Sequence, residues 1–273
     1  MKANGYVTLP DLDSPERQLL YAEMETWQDR FLRKTAQSQW RSWFSWPPDP
    51  LRQWSRQWEY PYAFAGLSTL KSGARLLDAG SGLTFFPYYC DAKGLRVTCL
   101  DAEPRYGPAY EETNRALGGS VAFVEGPLEA IPLPDASFDA VTCISVLEHT
   151  ASWQACLPEL ARILHVGGVL VLTVDVNWGG HEGINPDDLP EMHLRLLEEF
   201  VDLLPPRLVP TRGLLTTGLL TTGYFRRHDA RRLPWVDPLR DDRLIRRIVR
   251  ALRGRSPPFE PLALAGFHLE KRG

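Results

Sequence analysis

The stretch Ala74–Pro87, ARLLDAGSGLTFFP, decides the fold. An apolar run ends in Asp78, passes Gly80 and Gly82, and continues into Thr84, Phe85 and Phe86. Apolar residues in direct succession read as a strand buried on both faces. Two glycines after it permit backbone angles closed to other residues and let a ligand approach the main chain. A strand that turns this way into a helix opens a nucleotide-type site at the carboxyl edge of a doubly wound sheet.

The flanking sequence repeats that alternation. Strands are expected at 74–80, 96–102, 121–125, 138–144 and 167–176. Between them TFFPYYCDAKG, GPAYEETNRALGG and SWQACLPELARILHVGG read as helices, the last expected to end at Gly167. Strands separated by helices of this length make βαβ units. The expected class is therefore α/β: a doubly wound, Rossmann-like, mostly parallel sheet with helices on both faces, an N-terminal helical cap and a C-terminal extension.

The expected divisions are a Trp-rich cap over residues 1–60, a ligand-binding core over 61–180, and an extension over 181–273 that completes the sheet. The cap holds six of the nine tryptophans. Ser14 as N-cap, Pro15 and Glu16 predict a helix over 15–38. Trp54 and Trp58, one helical turn apart, read either as packing or as a wall around an apolar ligand. In the extension, NPDDLPEMHLRLLEEFVDLL reads as an amphipathic helix, LLTTGLLTTG as two strand-and-turn pieces, and PLALAGFHLEK as a closing strand. Eleven arginines against four aspartates between Arg226 and Arg255 read as an anion grip or as a solvated helix face.

The ligand is narrowed by what the loop lacks. Dinucleotide sites prefer a third glycine three positions after the second, and Phe85 stands there. No GKS or GKT follows, so the loop is not a P-loop. Asp101 ends the next strand, placed to accept both hydroxyl protons of a ribose. A nucleoside with ribose hydroxyls but no pyrophosphate satisfies both observations, and S-adenosylmethionine is such a ligand. A nicotinamide dehydrogenase is disfavoured by Phe85.

Residues 74–174 resemble the core of class I S-adenosylmethionine-dependent methyltransferases of the type 11 group. LLDAGSGLT, VTCLDAEP, EGPLEAIPLPDASFDAVTCISVLEHT and LARILHVGGVLVLTV carry the resemblance, in that order. It implies that Asp78, Gly80, Ser81 and Gly82 surround the methionine moiety, with Asp78 near its ammonium. It implies that Asp101 holds the ribose hydroxyls, that Ala102 borders the adenine, and that Ser145 and Val146 face the methyl-transfer region. Pro127 stands where the family often has an aspartate for the adenine amino group. Leu128, through its backbone N–H, and Glu129 are the candidate replacements.

Methyl transfer is mainly a matter of positioning, with a general base where the acceptor is a hydroxyl or protonated amine. His149 beside Glu148, and His181 in the loop WGGHEG, are the candidate catalytic residues. For His149 and Glu148 the alternative is a helix-entry pair found across the family; for His181 it is an exposed loop residue. The chain after the fourth core strand lacks the motifs used on nucleic-acid amino groups or cytosine carbon. A small-molecule or saccharide and natural-product hydroxyl is the expected acceptor. Non-methylating use of the same cofactor, or a non-catalytic binding module, are the alternatives. The added segments are expected to build the acceptor pocket, with Trp58 and His181 in it.

Net charge of −3 and a pI near 6.1 give no global field for nucleic acid or anionic membranes. Four cysteines without a CxxC pair read as reduced core thiols. No metal-ligand spacing is present. The first residues lack an apolar h-region and no run is long enough to span a bilayer, so a cytoplasmic location is expected.

Overall fold

The computed structural model describes residues 3–44, 50–179, 182–207, 218–233 and 262–273. The chain opens with β1 (Asn4–Tyr6), α1 (Leu9–Leu12), α2 (Pro15–Lys34) and α3 (Arg56–Gly66). Then follow β2 (Arg75–Ala79), α4 (Phe86–Ala92), β3 (Arg96–Asp101), α5 (Tyr106–Leu117), β4 (Ala122–Glu125) and β5 (Phe138–Ile144). After these come α6 (Trp153–Ile163), β6 (Leu164–Asn177), α7 (Leu189–Glu199), β7 (Phe200–Asp202), β8 (Pro206–Arg207), α8 (Thr222–His228) and β9 (Leu262–Lys271).

One sheet runs β4-β3-β2-β5-β6-β9-β1-β8, with β7 also paired to β9. Strands β2 to β6 are mutually parallel, as the βαβ pattern requires, and β9 returns antiparallel against β6. Successive strand residues point to opposite faces. Leu76, Val97, Cys99 and Val171 meet α2 to α5 on one face, while Leu77, Leu100, Val141 and Leu172 meet α6 and α7 on the other. The expected strand order of events and both covered faces are present. All four cysteines are free and buried.

Four elements depart from expectation. The helix read over NPDDLPEMHLRLLEEFVDLL ends at Glu199, where Phe200–Asp202 pairs with β9 as a strand. Helix α6 ends at Ile163 rather than Gly167, because Leu164 already pairs with Phe138 and its carbonyl accepts from Lys271 Nζ at 2.7 Å. The first residues are not only helical cap. Asn4–Tyr6 lies in the sheet between β9 and β8, and the Asn4 side chain bonds both the N–H and the C=O of His268. The second LLTTG copy supplies bridges at Leu219 and Thr221 and then opens α8; most of the first copy lies outside the described residues. So does Arg226–Arg255 beyond Leu233.

Trp58 is a packing residue. It is 2% exposed and stacks on Tyr62 with ring centroids 4.1 Å apart. A Cβ at Gly266 would sit 2.8 Å from its ring, so α3 lies directly on β9. Among the described residues no helix is long and apolar enough to cross a membrane.

Candidate active site

The carboxyl ends of β2, β3 and β5 open into one cavity of about 550 Å³. The turn after β2 is fixed from below: the N–H groups of Gly80 and Ser81 both donate to the Leu100 carbonyl at the end of β3. Gly80 has φ +71°, and a Cβ there would lie 2.4 Å from Val146. Gly82, at φ +53°, donates its N–H to Asp101 Oδ2 at 2.9 Å. Tyr110 OH closes the loop through Gly82 O at 2.8 Å and Ser81 Oγ at 3.1 Å. Phe85 is fully buried and packs edge-on to Tyr60, filling the space at the start of α4.

Asp78, Gly80, Ser81, Gly82, Asp101, Ala102, Leu128, Glu129, Ser145, Val146 and His149 all line this cavity. Asp101 Oδ1 also accepts from the Glu103 N–H, so backbone donors hold its carboxylate at the rim. Asp78 accepts from Thr142 Oγ1 at 2.7 Å. Burial pushes its carboxyl up to about 7, outweighing that bond and the charge of Arg56. Glu129 accepts from the Ala151 N–H at 3.2 Å, tethering the loop after β5.

Glu148 is not on the cavity. Its Oε1 accepts from the Asp175 N–H at 3.0 Å, and among the described residues Glu148 Oε2 and Asp175 Oδ1, both buried, find no hydrogen-bond partner. Burial raises both carboxyls, and the charge of Glu148 adds to the rise at Asp175. Its neighbour His149 turns the other way, into the cavity mouth; burial lowers its imidazole below the ordinary value, against the charge of Glu182. His181 lies outside the described residues.

The cap supplies residues that sequence reasoning did not single out. Gln28, Phe31, Trp40, Arg41, Phe44, Gln53, Arg56 and Tyr60 line the cavity opposite the glycine turn. No described residue from 182 onward does so. Phe44 stacks on Tyr106 at 4.6 Å and Arg105 Nη1 donates to the Trp43 carbonyl, which joins the cap to α5. Below them Glu59, a fully buried acid of α3, pairs with Arg56. Its Oε1 accepts from Ser145 Oγ at 2.5 Å and Thr173 Oγ1 at 2.6 Å. Ser145 has φ +49°, a strained angle for a side-chain-bearing residue. The sequence signal for Glu59 is an acid within the aromatic run QWEYPY.

A cradle of glycine backbone, a rim carboxylate, apolar walls at Ala102 and Leu128 and a buried acid beside an arginine suit an adenosine with a charged tail. The comparisons agree with that chemistry. Residues 77–172 match the family model described as a methyltransferase domain. A malonyl-[acyl-carrier protein] O-methyltransferase of Serratia marcescens is 32% identical over 108 residues, 40% of this chain and 41% of that protein. The chain spans less than half the length of the curated relatives it matches first. Among solved structures, the YcgJ protein from Bacillus subtilis has a TM-score of 0.51 at 16% identity, covering 77% of this chain and 97% of its own. A phosphoethanolamine N-methyltransferase of Haemonchus contortus, solved with S-adenosyl-L-methionine, has a TM-score of 0.50 at 13% identity, covering 78% and 52%. Residues 77–172 are therefore a methyltransferase domain of the class I S-adenosylmethionine-dependent kind.

Proposed function

We propose that the protein transfers a methyl group from S-adenosylmethionine to a hydroxyl of a small-molecule acceptor, with saccharides and natural products as the class to test. The observation that carries the reading is His149: a basic imidazole on the same cavity as Asp78, Asp101 and Ser145. Held below its ordinary pKa by burial, it is neutral at pH 7 and able to accept a proton.

Asp101 would accept from the ribose hydroxyls while the Gly82 N–H keeps its carboxylate in place. Asp78 would receive the ammonium of the amino-acid tail. Ala102 and Leu128 would border the base, with Glu129 close by for its amino group. When bound, S-adenosylmethionine supplies a methyl carbon activated by the sulfonium. Ser145 and Val146 would border that carbon, and Phe31, Trp40, Phe44 and Tyr60 would wall the acceptor and keep water out. His149 would take the proton that the acceptor hydroxyl loses. Four buried free thiols support a reducing, cytoplasmic setting.

The test is incubation with labelled S-adenosylmethionine and a panel of phenols, saccharides and amines. S-adenosylhomocysteine together with an acceptor heavier by one methylene supports the reading, and His149→Ala should cut kcat by about 10²-fold or more. Cofactor binding with no methylated product from any class would favour a non-methylating or non-catalytic use of the pocket.

A further inference from the structure

Strand β5 ends before its neighbour β6, and a side chain takes its place. The last ladder pair is Ile144 with Thr173, and the Ser145 N–H closes it on the Thr173 carbonyl at 3.0 Å. Alternate N–H groups of a strand point to one side, so the next donor of β6 toward β5 is that of Asp175, and a buried N–H needs a partner. Glu148 Oε1 accepts it at 3.0 Å. The Asp175 carbonyl takes the Ile184 N–H at 2.8 Å, which brings the loop after β6 back to the same point. Glu148 belongs to the single turn Leu147–His149, and His149, the next residue, lines the cavity mouth. Pinning Glu148 to β6 therefore fixes where the imidazole sits.

The remaining oxygens set the protonation. Among the described residues Glu148 Oε2 and Asp175 Oδ1 are buried without a hydrogen-bond partner, and neither acid has an ion pair. The charged groups around them are Glu59 and Arg56 of α3, which pair with each other, and Glu182 of the loop after β6; the Cys143 thiol faces Glu148 from β5. Two buried carboxylates without a cation of their own are strongly disfavoured, whereas one proton held by the two removes a charge and supplies the missing donor. The rise of both carboxyls with burial agrees with that state. We propose that Glu148 is a positioning residue for His149: as an acid sharing one proton with Asp175, it extends the β5–β6 ladder and holds the imidazole at the cavity. The inference rests on the reading of His149 as the proton acceptor and places Glu148 away from the reacting atoms.

The His149 ring Cε1–H signal in nuclear magnetic resonance, assigned with His149→Ala, tests it. Burial keeps this imidazole neutral above pH 7, so a second inflection above neutrality in the parent reports loss of the shared proton. Glu148→Gln keeps a carbonyl for the Asp175 N–H and puts an amide donor where the acid proton was. Its signal should match the parent at pH 7 and lose the second inflection. Glu148→Ala should show a displaced or broadened signal at every pH. In the turnover assay Glu148→Ala should lower kcat about ten- to a hundredfold with the KM for S-adenosylmethionine held, and Glu148→Gln should restore most of that loss. A His149 signal unchanged in Glu148→Ala would overturn the positioning role. A second inflection that persists in Glu148→Gln, or a Glu148→Gln signal displaced like that of Glu148→Ala, would overturn the shared proton. If Glu148→Ala does not fold, the inflection in the parent and its loss in Glu148→Gln decide the matter. Calorimetry with S-adenosylhomocysteine keeps the two readings apart: a parent protein that does not bind it retires the cofactor reading, whatever the His149 signal shows.

Discussion

Glu59 Oε1 lies 2.5 Å from Ser145 Oγ, a buried contact that joins residues 86 positions apart. The bond fastens the cap helix α3 to the carboxyl end of β5 at a residue with positive φ. The same oxygen accepts from Thr173 on β6, and the other pairs with Arg56. Strain at Ser145, a buried ion pair and two hydroxyls thus form one unit under the cavity.

Glu59→Ala should accordingly destabilise the protein by about 3–5 kcal/mol, because it leaves Arg56 as an uncompensated, mostly buried charge. Glu59→Gln leaves the same charge uncompensated but keeps an acceptor for Ser145, so it should lose less than Glu59→Ala by about one hydrogen bond, roughly 1 kcal/mol. Urea denaturation of the three proteins measures both values. Equal stability of Glu59→Ala and the parent would mean that the unit carries no net stability.

Asp101 makes two bonds with backbone donors and lines the cavity with what remains of its acceptor capacity. Removing it by Asp101→Ala costs the ribose its charged acceptor, roughly 1.5–3 kcal/mol. S-adenosylhomocysteine affinity should fall at least tenfold by calorimetry while circular dichroism stays native. An unchanged affinity would place the ribose contact elsewhere.

The parts legible in the sequence are those whose signal is local. Leu76 and Leu77, or Val169 to Leu172, advertise a strand buried on both faces through adjacent apolar residues. Gly80, Gly82 and Asp101 are legible because a tight turn and the end of the next strand lie within a single βα unit. Glu59 was not, since a helical acid ordinarily faces water, and its partners Ser145 and Thr173 are brought to it only by the closed sheet. Asn4–Tyr6 was missed for a related reason: a three-residue strand has no periodicity of its own and borrows its order from β9.

Trp58 shows the opposite error, a cavity role expected of a residue that the fold spends on packing. It is absent from the cavity wall and packs against Tyr62 and Gly266. Trp58→Ala should cost about 3–5 kcal/mol, the range for emptying a buried aromatic site. Trp40→Ala and Phe44→Ala, on the cavity wall, should instead raise the acceptor KM. Melting temperatures and kcat/KM for the three variants separate the roles; a specific loss of kcat/KM in folded Trp58→Ala would restore the wall assignment.

Asp78 yields a prediction with a definite sign. Its carboxyl moves from an ordinary 3.8 to about 7 because burial disfavours the charged form more than Thr142 and Arg56 favour it. The folded state therefore holds this proton more tightly than the unfolded chain. Its contribution to stability is fully present below about pH 4 and declines as pH rises through 7. Asp78→Asn keeps an acceptor for Thr142 Oγ1 and removes the titration, so the variant should be more stable than the parent at pH 8 and lose that advantage toward pH 4. Ligand binding runs the other way. An ammonium in the cavity favours ionised Asp78, so S-adenosylhomocysteine affinity should weaken as pH falls below about 7. Near pH 6 its binding should release a proton, visible as a dependence of the calorimetric enthalpy on buffer ionisation. Asp78→Asn should bind weakly at every pH with that dependence gone. An affinity that stays flat between pH 5.5 and 8 in the parent protein would remove Asp78 from the ammonium site, whatever its effect on stability.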